Sequence, residues 1–424
     1  MTESLDVYMD GRMCGTVSQS SAGDLGFDYD EGYRADSAAT PLSLSMPLSR
    51  PHHRNASIRP FLAGLLPDND DALAAIGREY DESPKNPFAL IRHMGADVAG
   101  AIQIVPRGTA SPDGTLPRGG SAPIGELDIE TELDGVIEEY SQGMPSPGLT
   151  QRFSLAGAQP KIALHRSAEG VWGVPTGSTP TTHILKPVAG SFRRLDVVEF
   201  LSMRAAEALG LTVAQSELLT FGSRRAFVTR RYDRRHLDGR WLRIHQEDLC
   251  QSLAVPPQKK YQRTDGGPGV GAIASLFKSL PVPADRASCA SSFFSALVFN
   301  TVLECTDAHA KNYSVILLGD RAILAPLYDL LTFAPYKSTA TTYSAMQIGG
   351  EYRFEAIGEP QVVKAAATLG IDRETAIETL ARMRREAVGA FETARDQLAG
   401  QDADTRDMAT EVVDAVAKLP SLAR

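Results

Sequence analysis

Several features that would place a chain outside the ordinary run of globular proteins are missing here. No apolar stretch in the 424 residues approaches the roughly 18 that a membrane-spanning helix needs, so no membrane partner is expected. Excess positive charge is absent too. Lys and Arg number 43 against 52 Asp and Glu, a formal −9, which argues against unaided, non-specific nucleic-acid binding. Cysteine is scarce: Cys14, Cys250, Cys289 and Cys305 show no paired spacing, and reduced thiols are the simplest account. The first residues, Met1-Thr-Glu-Ser-Leu-Asp6, lack a signal peptide's basic start and apolar middle. A cytoplasmic location is expected. What is present is ordinary, 43% hydrophobic and 22% charged, with room for two or three domains.

Punctuation by Pro and Gly divides the chain. Residues 1–106 read as a small mixed α/β subdomain. Leu5 to Met9 and Met13 to Val17 flank an Asp10-Gly11 hairpin turn, and Leu42 to Leu48 alternates as an edge strand would. Helices are expected over Asp70 to Tyr80, capped by Asp68 or Asn69, and over Pro87 to Met94, before a strand from Ala101 to Val105. Asp68, Asp70 and Asp71 read as a charged helix start rather than a metal site. Residues 107–148 hold a Pro/Gly/Ser linker and a helix from Ile124 to Gln142. Residues 149–236 read as a small β-rich lobe and 237–424 as a larger helical one.

The stretch with most chemical content is Thr306-Asp307-Ala308-His309-Ala310-Lys311-Asn312. It follows an apolar helix pattern from Asp285 to Glu304 and precedes two strand-like runs, Tyr313 to Leu318 and Ala322 to Leu327, that lead into Tyr328-Asp329. Helix, loop with Asp and Asn, two strands, Asp is the order of a protein-kinase catalytic loop and its metal-binding Asp. Asp307 would reach an attacking hydroxyl, while Asn312 and Asp329 face the metal that bridges the phosphates. An Asp and an Asn five apart also suit a plain helix-capping turn.

Upstream, Ser154-Leu-Ala156-Gly157-Ala158-Gln159 offers small residues that let backbone N–H groups approach a phosphate, and equally suits a tight hairpin. Lys186 closes the apolar strand Thr182 to Pro187, where kinases place a phosphate-holding cation. Glu199, in a helix from Leu195 to Leu209, is either its orienting partner or an ordinary helix-surface charge. Strands at Ser216 to Thr220 and Arg225 to Thr229 lead to Arg230-Arg231-Tyr232-Asp233-Arg234-Arg235, a hinge-like polar turn read as surface ion pairs. His245-Gln-Glu-Asp-Leu-Cys-Gln251 reads as a helix start. In this order the motifs describe an α+β, bilobal protein-kinase-like fold and phosphoryl transfer.

The chain resembles the HipA family of serine/threonine-protein kinase toxins from bacterial toxin–antitoxin operons. The resemblance rests on Pro41-Leu-Ser-Leu-Ser-Met-Pro-Leu48, Gly64-Leu-Leu-Pro-Asp68, Ser154 to Gln159 with Lys161, and Thr181-Thr-His-Ile-Leu-Lys-Pro187. It continues in Tyr232-Asp-Arg-Arg235, His245 to Gln251, Asp265-Gly-Gly-Pro-Gly269, Thr306 to Asn312 and Tyr328-Asp329. It implies ATP and Mg2+ as cofactors, Asp307 as catalytic base, Asn312 and Asp329 as magnesium ligands, and Lys186 as the phosphate-binding lysine. Ser154, Ala156, Gly157, Ala158, Gln159, Arg230, Tyr232, His309 and Lys311 would lie on the nucleotide side. Ser154 matches the family's autophosphorylated serine, whose phosphate drives the loop out of the site. A HipB-like helix-turn-helix antitoxin, which carries most of the operator DNA contact, is the implied partner. An aminoacyl-tRNA synthetase such as glutamate–tRNA ligase is the implied substrate. Arg230 departs from the acidic hinge residue of the best-known members, and Glu304-Cys305 from the smaller residues common there. A small-molecule phosphotransferase and a catalytically silent corepressor remain the alternative readings.

Overall fold

The computed structural model describes residues 3–110, 116, 119–142, 159–190, 192–336 and 341–423. The class is α+β. Contacts gather the chain into two compact units. The first holds Met1–Ala189, Leu219–Gln258 and Ile316–Asp320, and the second holds Gly190–Leu218, Lys259–Val315 and Arg321–Arg424. These bounds differ from the expected boundaries at 106, 148 and 236. The reason is packing. The helix Leu195–Ala208 buries Val197, Val198 and Leu201 and packs on the helix Arg373–Asp396, so it belongs to the second unit.

The first unit contains two large antiparallel sheets, besides a two-stranded ribbon of Arg234–Leu237 and Arg240–Arg243. Strands β1 (Glu3–Met9), β2 (Arg12–Gln19), β3 (Leu25–Tyr29), β4 (His52–Arg54) and β5 (Ile102–Pro106) lie in the order β4-β3-β2-β1-β5. The β1–β2 turn is the expected one, with Asp10 and Gly11 both in the left-handed region. Val7, Val17 and Phe27 point into one core with Phe61, Leu62, Phe88 and Ile91 from the helices Asn55–Gly64 and Pro87–Met94. Asn69 caps the helix Asp70–Glu79, accepting the N–H groups of Asp71 and Ala72, and both aspartates are solvent-exposed. The second sheet adds β6 (Ser121–Pro123), β7 (Ile162–Arg166), β8 (Trp172–Pro175), β9 (His183–Pro187), β10 (Ser216–Phe221, its last three residues in this unit) and β11 (Arg224–Arg230). Their order is β10-β11-β9-β7-β8-β6. The helix Glu126–Gln142 packs Ile129 and Leu133 against it.

Leu42 to Leu48 is not a strand; it holds a single bridge between Ser43 and Met46. Prolines 41 and 47 supply no N–H to a ladder, and buried side chains take over the backbone instead. Tyr29 Oη accepts the Leu42 N–H (2.7 Å) and donates to Met46 O (2.6 Å), while Glu247 accepts the Leu44 N–H (2.8 Å). His245 Nε2 lies 3.0 Å from Leu42 O. The segment expected as a helix start is thus a short strand, Gln246–Asp248, and one helical turn, Leu249–Ser252, capped by Asp248. Gln251 reaches Phe61 O (3.0 Å), and Ser45 Oγ donates to Gln251 O (3.1 Å).

The turn after β11 also departs from expectation. Arg231, Asp233 and Arg234 are buried, not surface ion pairs. Asp97, 2% exposed, accepts from Arg234 Nη2 and Arg243 Nη2 (3.0 Å each) through Oδ1, and from the N–H (2.9 Å) and hydroxyl (2.6 Å) of Thr181 through Oδ2. Asp233 accepts from Arg231 (3.0 and 2.8 Å), Arg234 (2.9 Å) and the Gly100 N–H (2.7 Å). Burial works to raise Asp97, but the guanidinium groups of Arg234, Arg231 and Arg243 outweigh it and hold the carboxyl well below the usual range.

In the second unit, helices Val270–Ser279, Pro283–Val302, Glu359–Leu369, Arg373–Asp396 and Ala403–Val416 surround Phe293, Phe299, Met383 and Phe391. Among the described residues no helix is long and apolar enough to cross a membrane, and all four cysteines are buried and unpaired.

Two outcomes follow from the buried charges. Asp97→Ala leaves three arginines around an empty position, so urea denaturation should show a loss of about 3–5 kcal/mol. At Glu247, burial pushes the carboxyl up to about 7 from 4.5, against hydrogen bonds from Ser43, Leu44 and Ser252. A raised folded-state value stabilises fully below the unfolded value and is lost as pH rises through about 7. Relative to the parent chain, Glu247→Gln should therefore gain roughly 2–3 kcal/mol in unfolding free energy between pH 5 and pH 8. His245, which burial lowers to about 4, titrates alike in both proteins and cancels from the difference.

Candidate active site

The expected Asp-Asn-Asp set is assembled within the second unit. The helix Pro283–Val302 opens with a proline in its first turn and buries Phe293, Phe294, Leu297 and Val298. Past its end Glu304 takes a left-handed backbone (φ 51°), and the Cys305 N–H returns to Asn300 O at 2.9 Å. That reversal delivers Asp307. The loop beyond it is closed by its own polar groups. His309 N–H donates to Asp307 O (2.8 Å), Asn312 N–H to His309 O (3.0 Å), and the Asn312 side-chain amide to Asp307 O (2.7 Å). The five-residue spacing is what permits that last bond.

Asp329 reaches the same place from the other side. The strands Ser314–Leu318 and Arg321–Leu324 lead back to Leu327, whose N–H donates to Thr212 O (2.9 Å). Tyr328 Oη donates to Lys311 O (2.8 Å) and lies 2.6 Å from Ser314 Oγ. Asp329 itself is left-handed (φ 52°), a conformation rare outside glycine that recurs where side chains must be re-aimed. Thr332 then locks the segment, donating to Leu303 O (2.7 Å) and accepting nothing from Ser202, whose Oγ instead takes the Thr332 N–H (3.1 Å).

Asp307, Asn312 and Asp329 line one small pocket with Ala308 and Leu330. Asp307 keeps 57% of its side chain exposed, and His309, buried, places Nε2 3.8 Å from its Oδ1. Among the described residues no three His, Cys, Asp or Glu side chains are grouped so as to hold a metal unaided. The pocket's donors still fit magnesium, which takes hard oxygens from one or two side chains and completes its shell with phosphate and water. Asp329 supplies carboxylate oxygens and Asn312 an amide oxygen. Burial pushes the Cys305 thiol up, so the one sulfur on the pocket wall stays protonated at neutral pH.

The other expected residues lie elsewhere or are bound differently. Ser154, Ala156, Gly157 and Ala158 fall outside the described residues, and Gln159 is half-buried ahead of β7. Lys186, in the first unit, sits in β9 opposite Phe227; it is 8% exposed, with Nζ 5.5 Å from that ring's centroid. Arg230 ends β11 exposed, and Tyr232 Oη donates to Gln246 at 2.7 Å. Lys311 is buried. Glu199, in the second unit, is 4% exposed and so is not a surface charge. Tyr261 was not anticipated at all. Its hydroxyl donates to Asp307 Oδ1, yet its sequence setting, Lys260-Tyr261-Gln262, carries no recognisable signal.

Comparison with known proteins shows what the chain as a whole is similar to. A family model described as the HipA N-terminal domain matches residues 5–105, and one described as the HipA-like C-terminal domain matches residues 153–391. The chain is 37% identical over 351 residues to the putative kinase Y4mE of Sinorhizobium fredii, covering 81% of this chain and 80% of that one. It is 30% identical over 397 residues to the serine/threonine-protein kinase toxin HipA of Shewanella oneidensis, covering 91% and 87%. A chain in the complex of Shewanella oneidensis HipA, HipB and operator DNA matches with a TM-score of 0.82 at 27% identity, over 97% of this chain and 95% of that one.

Proposed function

The chain belongs to the HipA family, and from that premise we propose that it is an ATP-dependent serine/threonine-protein kinase acting as the toxin of a toxin–antitoxin module. The observation that carries this reading is the convergence of Asp307, Asn312 and Asp329 on one pocket. Asp307 accepts the acceptor hydroxyl's hydrogen bond and takes its proton as the γ-phosphoryl is transferred. Asn312 and Asp329 would hold magnesium, which when bound would supply charge neutralisation at the phosphates. Lys186, buried in β9, matches the family's phosphate-binding lysine. Most of the rate enhancement is positioning and electrostatics, since the protein makes no covalent intermediate.

Three finer assignments follow the family pattern. The acceptor is a serine of a translation factor, with an aminoacyl-tRNA synthetase such as glutamate–tRNA ligase the first to try. Ser154 is autophosphorylated, and its dianionic phosphate, repelled by the nucleotide's own, silences the kinase. A HipB-like antitoxin binds the chain and supplies most of the operator contact, which suits an acidic protein of net charge −9.

Asp307→Asn should lower phosphoryl transfer from γ-labelled ATP roughly 100- to 10 000-fold while leaving magnesium-dependent nucleotide binding in place. Asp329→Ala should lose that binding as well, measured by calorimetry with and without magnesium. Growth arrest and ATP consumption that survived Asp307→Asn would overturn the kinase reading, whereas the corepressor reading expects normal operator repression in that variant. Intact mass after incubation with ATP should show one added phosphate, absent in Ser154→Ala. A phosphate persisting there would place the modification at another residue.

A further inference from the structure

A hydroxyl already rests on the carboxylate assigned above as the base. Tyr261 stands at the start of the short helix Gln262–Asp265 and donates its phenolic O–H to Asp307 Oδ1. Its position is set by more than that bond. The Ala310 N–H, inside the 306–312 loop, donates to the carbonyl of Lys260 at 3.4 Å. The His309 ring meets the Tyr261 ring edge-on, with centroids 4.7 Å apart, and His309 is itself buried. On the far side, Gln262 accepts the N–H of Gln347 at 2.8 Å, from the strand Tyr343–Ile348. The tyrosine is therefore docked by backbone and ring to the loop whose carboxylate it touches.

Asp307 needs such a support. More than half of its side chain is exposed, so packing does little to select a rotamer. A base must nevertheless meet the acceptor hydroxyl within a few tenths of an ångström, and a displacement of about 1 Å can cost on the order of 100-fold in rate. A hydrogen bond from a fixed neutral donor to an ionised carboxylate is short and directional. It can hold one oxygen while the other stays available.

We propose that Tyr261 is a positioning residue for phosphoryl transfer. Its hydroxyl, braced by His309, holds Oδ1 of Asp307 so that Oδ2 is presented to the acceptor hydroxyl. The inference rests on the reading of Asp307 as the base. Because Lys260 is bonded to the same loop, an incoming acceptor meets Tyr261 as part of the site wall and does not displace it.

The test uses the full chain and its intrinsic ATP hydrolysis, with water as the acceptor, so no protein substrate has to be identified. Tyr261→Phe keeps the ring and its edge-on contact and removes only the hydroxyl. Its kcat should fall roughly 10- to 100-fold, with KM for ATP within about twofold and an unchanged melting temperature. Tyr261→Ala should lose the same factor in kcat, since the hydroxyl is the group that matters. A Phe variant as fast as the parent would overturn the proposal. So would a faster one, which would make the hydroxyl a plug in the acceptor's seat, or a rise in KM for ATP at constant kcat, which would assign Tyr261 to the nucleotide. Asp307→Asn separates the two layers of inference. If it hydrolyses ATP at the parent rate, the base assignment itself falls; if it is inactive while Tyr261→Phe is unaffected, only the positioning role does.

Discussion

The bond from the Asn312 side-chain amide to the carbonyl of Asp307 sets the local geometry on which the site depends. It closes a six-residue loop with a single polar side chain and uses the amide nitrogen, not the oxygen. Remove it and the carboxylate of Asp307 and the amide oxygen of Asn312 lose their common reference. The rest of the second unit acts on that loop from outside. The reversal at Glu304 brings it off the helix, the Tyr328 hydroxyl pins its far end through Lys311 O, and Thr332 ties the Asp329 segment to the helix end at Leu303. Each brace is a hydrogen bond to a backbone carbonyl, which constrains the chain itself.

A different kind of polar order governs the first unit. Asp97, Asp233, Arg231, Arg234 and Arg243 form a buried network in which two carboxylates face three guanidinium groups. Such networks add little net stability over apolar packing of the same shape, but they are costly to break. Their geometry is also less forgiving than that of apolar contacts. Arg234 satisfies Asp97, Asp233 and the carbonyls of Val98 and Gly100 together, so the residue 97–100 turn and the segment after β11 can meet in only one register.

Local rules were enough for much of the architecture. The helix Pro87–Met94, with Asn86 before it and Gly95 after it, ends where its cap and stop residues place it, and the Asp10-Gly11 hairpin and the buried helix before Thr306 are equally plain. The order of Lys186, Glu199, Asp307, Asn312 and Asp329 was legible because each follows an apolar element of clear period. Burial of polar residues was not. The cluster from Arg230 to Arg235 looks solvated in isolation, yet Arg231, Asp233 and Arg234 turn inward to Asp97 and to the Val98 and Gly100 backbone, over 130 positions away. Glu199 and Glu247 are further cases, acidic residues whose burial is decided by distant packing. Leu42 to Leu48 alternates like a strand, yet its backbone partners are the side chains of Tyr29 and Glu247. Tyr261 was invisible because a hydroxyl acquires its role only when the fold sets it beside Asp307.

The helix bearing Glu199 shows how far such long-range dependence extends. Its first residue follows Arg194, which is left-handed (φ 51°) and makes no side-chain cap. Arg194 is instead buried and holds Asp196 through two bonds (3.0 and 2.9 Å), Asp404 at 2.6 Å and Thr405 at 3.1 Å. Asp404 and Thr405 open the helix Ala403–Val416, itself capped by Asp402. An arginine in a strained conformation thus anchors one helix start to another, replacing the missing cap with a charge-assisted fork. The helix Ala403–Val416 lies beyond residue 391, where the match to the HipA-like C-terminal domain ends. The start of Glu199's helix is therefore anchored partly by a segment outside the matched region.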